Sequence, residues 1–104
     1  MDTIRLSNTC ILHMEHRFVN RNGLIHPLSS LQAFLLEPMV RSLNEPVELA
    51  NITAVMASRH LSVDRGSLYV YIYRLRAVIE ENPKLPQILI SVGRSRYMLR
   101  VIPK

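Results

Sequence analysis

The stretch that decides the fold is 64–99, DRGSLYVYIYRLRAVIEENPKLPQILISVGRSRYML. At about 100° per residue, four apolar side chains of its first half share one side of a helix: Leu68, Ile72, Leu75 and Ile79. The other side carries a basic and aromatic set: Arg65, Tyr69, Tyr73, Arg74 and Arg76. No acid follows within the helix until Glu80, whereas a merely solvated helix mixes both charge signs. The sequence therefore predicts an amphipathic helix over 64–81 with a basic exposed face.

The second half of the stretch predicts a β-hairpin. Asn82-Pro83 ends the helix, and the apolar run 88–92 is typical of a strand. The tip 93–96, Gly93-Arg94-Ser95-Arg96, then turns the chain into a second strand over 97–101. A basic-faced helix followed at once by a hairpin with an arginine-bearing tip is the layout of a winged helix. We expect the whole hairpin unit to cover 87–102.

Several short motifs in this stretch occur together in one register: Arg74-Leu75-Arg76, Glu81-Asn82-Pro83, Pro86, the strand 88–92 and Tyr97. They resemble the end of the OmpR/PhoB-type winged-helix DNA-binding domain, without a gap from Arg74 to Leu99 and more loosely back to about Arg17. The resemblance implies an α+β fold, a winged helix-turn-helix with N-terminal antiparallel strands, three helices and a C-terminal hairpin wing. It also implies a stand-alone effector domain without its receiver, so we expect no phosphorylation-driven activation in this chain.

Length and charge agree with one nucleic-acid-binding domain. The 104 residues predict a single domain over 1–104. Residues 1–58 have a net charge of −1 and residues 59–104 a net charge of +6, so the excess lies in the half with the helix and hairpin. Concentrated positive charge favours a polyanion, and double-stranded DNA is the expected partner. We expect no signal peptide, no membrane association and a cytoplasmic location at the bacterial nucleoid.

The rest of the chain divides into N-terminal strands over 1–28 and a three-helix core over 29–81. Asn22-Gly23 predicts a tight hairpin turn between two of the strands. Ser29 and Gln32 form a capping-box pattern at the start of the first helix, where Pro38 predicts a kink or an early break. The second helix is expected from about Glu48 to Ala57. Asp64 is the expected N-cap of the third.

The third helix and the hairpin tip are the predicted DNA contacts, although the resemblance itself carries over only the role of Arg74. Arg74 matches the family position from which an arginine reaches the major groove, where arginine pairs with guanine. Ser67 and Val70 are expected near base edges, and Arg65 and Arg76 near phosphates. The full predicted contact set is Arg65, Ser67, Val70, Tyr73, Arg74, Arg76, Arg94 and Arg96. The predicted function is a sequence-specific transcription regulator, with helix 64–81 in the major groove, the 93–96 tip near the minor groove, and a homodimer on DNA as one allowed arrangement.

Two departures from the family pattern keep an alternative open. Tyr69, Tyr71 and Tyr73 replace charged or imidazole side chains, and the tip lacks the Arg-Gly-x-Gly-Tyr arrangement of the family. A tyrosine-rich helix is also typical of a protein-binding surface. The alternative function is a winged-helix interaction module that binds another regulator or RNA polymerase. In either case the loop 58–63 is a hypothetical polymerase contact through Arg59, His60 and an exposed Leu61.

No pattern in the sequence indicates catalysis or a bound cofactor. Cys10, His13 and His16 have a metal-like spacing, but on a strand His13 points away from the other two, so we predict no metal site. Glu80-Glu81 is interpreted as a solvated pair at a helix end. We therefore predict a protein that is not an enzyme and holds no cofactor.

Overall fold

The computed structural model describes residues 3–103, so the predicted domain 1–104 includes three residues, Met1, Asp2 and Lys104, that lie outside the described residues. Residues 3–103 form an α+β fold with two antiparallel sheets and three helices. None of the helices within 3–103 combines the length and apolar character that crossing a bilayer requires.

The N-terminal residues form a four-stranded antiparallel sheet. Its strands follow the chain in order: β1 (Thr3–Arg5), β2 (Cys10–His13), β3 (Phe18–Arg21) and β4 (Leu24–Pro27). The predicted turn between β3 and β4 is confirmed, because Asn22 and Gly23 both have positive φ, +55° and +84°. Positive φ at both central residues is what a two-residue hairpin turn requires, and Asn-Gly meets that requirement at low cost.

Three helices follow: α1 (Ser30–Val40), α2 (Leu49–Ser58) and α3 (Arg65–Ile79). The predicted capping box is confirmed, since Ser29 Oγ accepts from the Gln32 N–H at 3.1 Å and Gln32 Oε1 accepts from the Ser29 N–H at 2.9 Å. α1 runs through Pro38 and ends two residues later, at Val40. α2 begins one residue later than predicted because Glu48 has an extended backbone and takes the N-cap position.

A second, smaller sheet forms next to the helices from β5 (Val47–Glu48), β6 (Leu89–Val92) and β7 (Arg96–Leu99), in the order β5-β7-β6. β6 and β7 are the predicted hairpin, with boundaries that differ from the prediction. Arg96 pairs with Val92, so the turn is the three residues 93–95, and the second strand starts at Arg96 and ends at Leu99. β5 was not predicted as a strand, because two residues show no periodicity.

The core lies between the first sheet, the helices and the hairpin. All four predicted apolar residues of α3 are buried, which confirms that side of the helix: Leu68, Ile72, Leu75 and Ile79. The first sheet contributes Leu12 and Val19, and β6 and β7 contribute Leu89 and Leu99. The C-terminal segment returns to the first sheet, where the Ile102 N–H donates to the Leu6 carbonyl at 2.8 Å.

The link between α2 and α3 begins with one residue, His60, in the left-handed backbone conformation. His60 has a φ of +62°. Its N–H donates to the Ala57 carbonyl at 3.0 Å, and the Leu61 N–H donates to the Met56 carbonyl at 2.9 Å. These two bonds are those of a Schellman motif, in which glycine is the preferred residue at the position of His60.

We expect His60→Gly to raise the free energy of unfolding by about 1 kcal/mol, because glycine adopts positive φ without the clash that Cβ causes. Urea unfolding followed by circular dichroism measures the change. Ser62→Gly, at a position without positive φ, is the control and should not stabilise the chain. An equal gain in both variants would rule out the backbone explanation.

Candidate nucleic-acid interface

The exposed side of α3 has an uncharged centre and charged flanks. Helical geometry places Gly66, Val70 and Ala77 along the centre, opposite the buried side, with Tyr73 and Arg74 at equal angles on either side of it. Val70 and Tyr73 are 48% and 51% exposed. One flank faces the hairpin and carries Arg65, Tyr69 and Arg76. The other carries Ser67, Tyr71 and Arg74, of which Tyr71 and Arg74 lie next to the start of α1.

A basic cleft of about 370 Å³ separates α3 from the β6–β7 hairpin. Its lining residues are Arg65, Tyr69, Ser91, Gly93, Arg94, Arg96 and Tyr97. Three of these residues are arginines, and none of the described lining residues is acidic. We call this groove the arginine cleft. It brings three of the predicted contact residues together: Arg65 from α3, and Arg94 and Arg96 from the hairpin.

Two tyrosines, Tyr69 and Tyr97, add hydroxyl groups to the arginine cleft. Tyr97 is buried, and this burial raises its pKa, as does nearby Tyr69, while Arg76 and Arg65 oppose the rise. Its phenol therefore stays protonated at neutral pH and is able to donate a hydrogen bond. Together with the guanidinium groups, this gives the cleft the donors that bind a phosphate oxygen.

The three arginines of the cleft differ in how they are held. Within residues 3–103, neither Arg65 nor Arg94 makes a hydrogen bond or ion pair, so both are free to meet an anion. Arg96 lies 4.0 Å from Glu48, measured from Nε to Oε1, with both side chains about half exposed. Such a pair contributes little to stability, about 0–1 kcal/mol. Arg96 was predicted within the tip, but its cross-strand pairing puts it in β7 and leaves Arg94 at the tip.

Arg76 has a structural role that the sequence did not predict. Its Nε donates to the Leu89 carbonyl at 2.9 Å, and one terminal nitrogen donates to Ser91 Oγ at 3.1 Å. The half-buried side chain thus joins α3 to β6. Its predicted phosphate contact stays a prediction, with two of its nitrogens already used in holding the hairpin.

The interpretation of Glu80 as solvated is wrong. α3 ends at Ile79, and Glu80 is extended and only 2% exposed. Its carboxylate accepts hydrogen bonds of 2.7 to 3.1 Å from the backbone N–H groups of Gln87, Ile88 and Leu89. From the other side, Arg21 Nη1 donates to the Glu80 carbonyl at 3.1 Å. No periodicity signals this position, because the chain leaves the helix just before it.

Arg74 lies on the flank of α3 away from the hairpin. With Tyr71 it borders a depression of about 250 Å³ next to the start of α1. The Arg74 side chain is exposed, as its predicted role requires. Ser67 is half-buried at the N-terminus of α3, where its N–H donates to Asp64 Oδ1 at 2.7 Å. This bond confirms the predicted N-cap, and it lowers the pKa of Asp64.

The loop before α3 does not present its three predicted residues together. Arg59 pairs with Glu37 at 3.2 Å and lies over the Phe34 ring, 4.9 Å from its centroid. Leu61 was expected to be exposed, but it is half-buried and packs against the core, since it closes the Schellman motif. His60 is exposed. A polymerase contact through this loop therefore stays a prediction that rests on Arg59 and His60.

The Cys10, His13 and His16 pattern does not converge. Cys10 is buried in β2, and burial raises the pKa of its thiol to about 11. His13, at the end of β2, stacks on Phe18 with ring centroids 4.2 Å apart. His16 lies in the turn after β2 rather than on the same strand, as the prediction assumed. In the part of the chain from 3 to 103, no group of three His, Cys, Asp or Glu residues could hold a metal ion.

No protein-family model and no curated protein matches this chain. What the surface can do therefore follows from its residues and their geometry. An exposed helix face lies beside a cleft with three arginines, and the hairpin that forms one wall is joined to α3 through Glu80 and Arg76.

We expect Glu80→Ala to destabilise the chain by about 3 kcal/mol or more, because it leaves three backbone N–H groups without their charged acceptor. Glu80→Gln, which keeps one oxygen acceptor, should lose less. Urea unfolding measures both, and Glu81→Gln, at the exposed neighbouring position, is the control with an expected change within about 0.5 kcal/mol. A Glu80→Ala variant as stable as the control would contradict the role given to this carboxylate.

Proposed function

We propose that this chain is a winged-helix DNA-binding protein of the transcription-regulator type. In this proposal α3 enters the major groove and the β6–β7 hairpin is the wing. The order of three helices with a β5-β7-β6 sheet supports the winged helix-turn-helix fold. The single observation that carries the function is the arginine cleft between α3 and the hairpin, which joins positive charge to an exposed helix face.

The arginine cleft suits the DNA backbone better than it suits a small anion. Its three arginines come from two elements, and it opens beside the exposed face of α3. A backbone phosphate bound in the cleft would therefore place the rest of the duplex against that face. Phosphate contacts fix the position of a protein on DNA without reading its sequence. Arg65 and Arg94 are the strongest candidates for such contacts because neither is engaged by another described residue.

In this proposal the DNA bases are recognised by side chains at the centre of the exposed face of α3 and on its α1 flank. The 15-residue helix is about 22 Å long, and the major groove admits one helix. Arg74 is proposed to pair with guanine, and Val70 to contact a thymine methyl group. Arg94 at the wing tip is proposed to lie near the minor groove, where A·T-rich DNA has an enhanced negative potential. No reaction and no cofactor enter this function.

One observation favours a second candidate, a protein-interaction module. Tyr69, Val70 and Tyr73 are each about half exposed and adjoin one another on α3. Exposed tyrosines with a small apolar neighbour are typical of a protein-binding surface, and they do not require DNA. In this alternative the partner is another regulator or RNA polymerase.

We expect the double variant Arg65→Ala/Arg94→Ala to bind duplex DNA several-fold more weakly and to flatten the salt dependence. The slope of log K against log salt should fall by roughly 1–2 units, since each neutralised phosphate contributes about 0.9. Fluorescence anisotropy with a labelled random-sequence duplex at several salt concentrations measures both quantities.

The matched control is Lys84→Ala, which removes a cation from the exposed loop between α3 and β6. It should leave affinity and slope nearly unchanged. If the double variant matched the control, the arginine cleft would not carry phosphate contacts. If the wild type bound no DNA even at low salt, the interaction-module candidate would replace the proposal.

A further inference from the structure

A second cleft, of about 400 Å³, lies on a different part of the molecule, at the end of α3. Four segments meet there: the turn 7–9 of the first sheet, the residues after α3, the loop before β6, and the C-terminal segment 102–103. Its volume is within the range of small-molecule sites, about 300–1,000 Å³. We call it the α3-end cleft. The arginine cleft shares none of its residues.

One part of the α3-end cleft is lined by aliphatic side chains. Ile79 and Ile88 are buried side chains that border it, and Ile102 is half-buried. Leu85, at 67% exposed, is one of the most exposed large apolar residues of the chain, and it also borders the cleft. Such walls bind a short hydrocarbon chain by removing it from water.

The described residues that line the α3-end cleft carry negative charge, although the chain as a whole is positive. Its described lining contains two carboxylates, Glu80 and Glu81, and no Lys, Arg or His. The Glu80 carboxylate is occupied by three backbone N–H groups. Glu81 is exposed, accepts a hydrogen bond from Thr9 Oγ1 at 3.3 Å, and has no ion-pair partner among residues 3–103. A cationic group on a ligand would form an ion pair with the Glu81 carboxylate.

We propose that the α3-end cleft binds a small amphipathic amine, with its alkyl chain against Leu85 and Ile102 and its ammonium group beside Glu81. The site does not depend on DNA binding. Gln87 and Ile88 belong both to its wall and to the backbone that Glu80 holds, so a bound amine would contact the junction of α3 and β6 directly.

The test is a titration of the ¹⁵N-labelled chain with n-hexylammonium, followed by amide NMR. We expect saturable shifts at residues 79–88 and 102. n-Butylammonium should bind about five- to fifteenfold more weakly, because it loses two methylene groups of apolar contact. Hexanoate has nearly the same alkyl chain and the opposite charge, and it should bind more weakly than n-hexylammonium.

Glu81→Gln tests the ammonium contact, since it keeps the shape of an exposed side chain and removes its charge. We expect hexylammonium to bind this variant about two- to fivefold more weakly, the range of an exposed ion pair. Glu45→Gln, at an exposed carboxylate outside the α3-end cleft, is the matched control and should bind as the wild type does. Shifts that do not saturate, equal binding of hexanoate, or equal binding by Glu81→Gln would each overturn the proposal.

Discussion

The proposed DNA-binding surface depends on the hydrogen bonds that the buried carboxylate of Glu80 accepts. Three backbone N–H groups at the start of β6 converge on it, so the end of α3 and the first residues of the hairpin are held together. Arg76 adds a second link, from one turn earlier in α3 to the Leu89 carbonyl. Charged hydrogen bonds of this kind are strong where water is excluded. These contacts join α3 to the hairpin, the two elements whose residues line the arginine cleft.

The local features of the fold could be predicted because nearby residues determine them. The Ser29–Gln32 capping box, the Asn22-Gly23 turn and the Asp64 N-cap each depend on a few adjacent positions. The buried side of α3 follows from helical periodicity, because Leu68, Ile72, Leu75 and Ile79 recur every three or four residues. The basic character of the region around α3 was likewise visible, since charge placement is a property of the sequence.

The remaining features depend on contacts that the chain makes after a helix ends, where the helical period no longer applies. Glu80 looks like one of two solvated acids until the chain path brings Gln87 to Leu89 over it. Arg76 looks like an arginine available for phosphate until β6 lies beside it. Leu61 looks exposed in a polar loop, but the left-handed His60 turns it toward the core. In each case the path of the chain after a helix ends decides the role, and helical or strand periodicity does not encode that path.

The most direct test of the central claim is an amide NMR titration of the ¹⁵N-labelled chain with a short duplex DNA at low salt. If α3 and the hairpin act as one DNA-binding surface, residues 65–77 and 91–97 will shift together and saturate together, while 10–27 in the first sheet stay unchanged. The shifts should reverse when salt is added, because phosphate contacts release counterions on binding. Saturable shifts confined to the first sheet, or no saturable shifts at all, would contradict the claim.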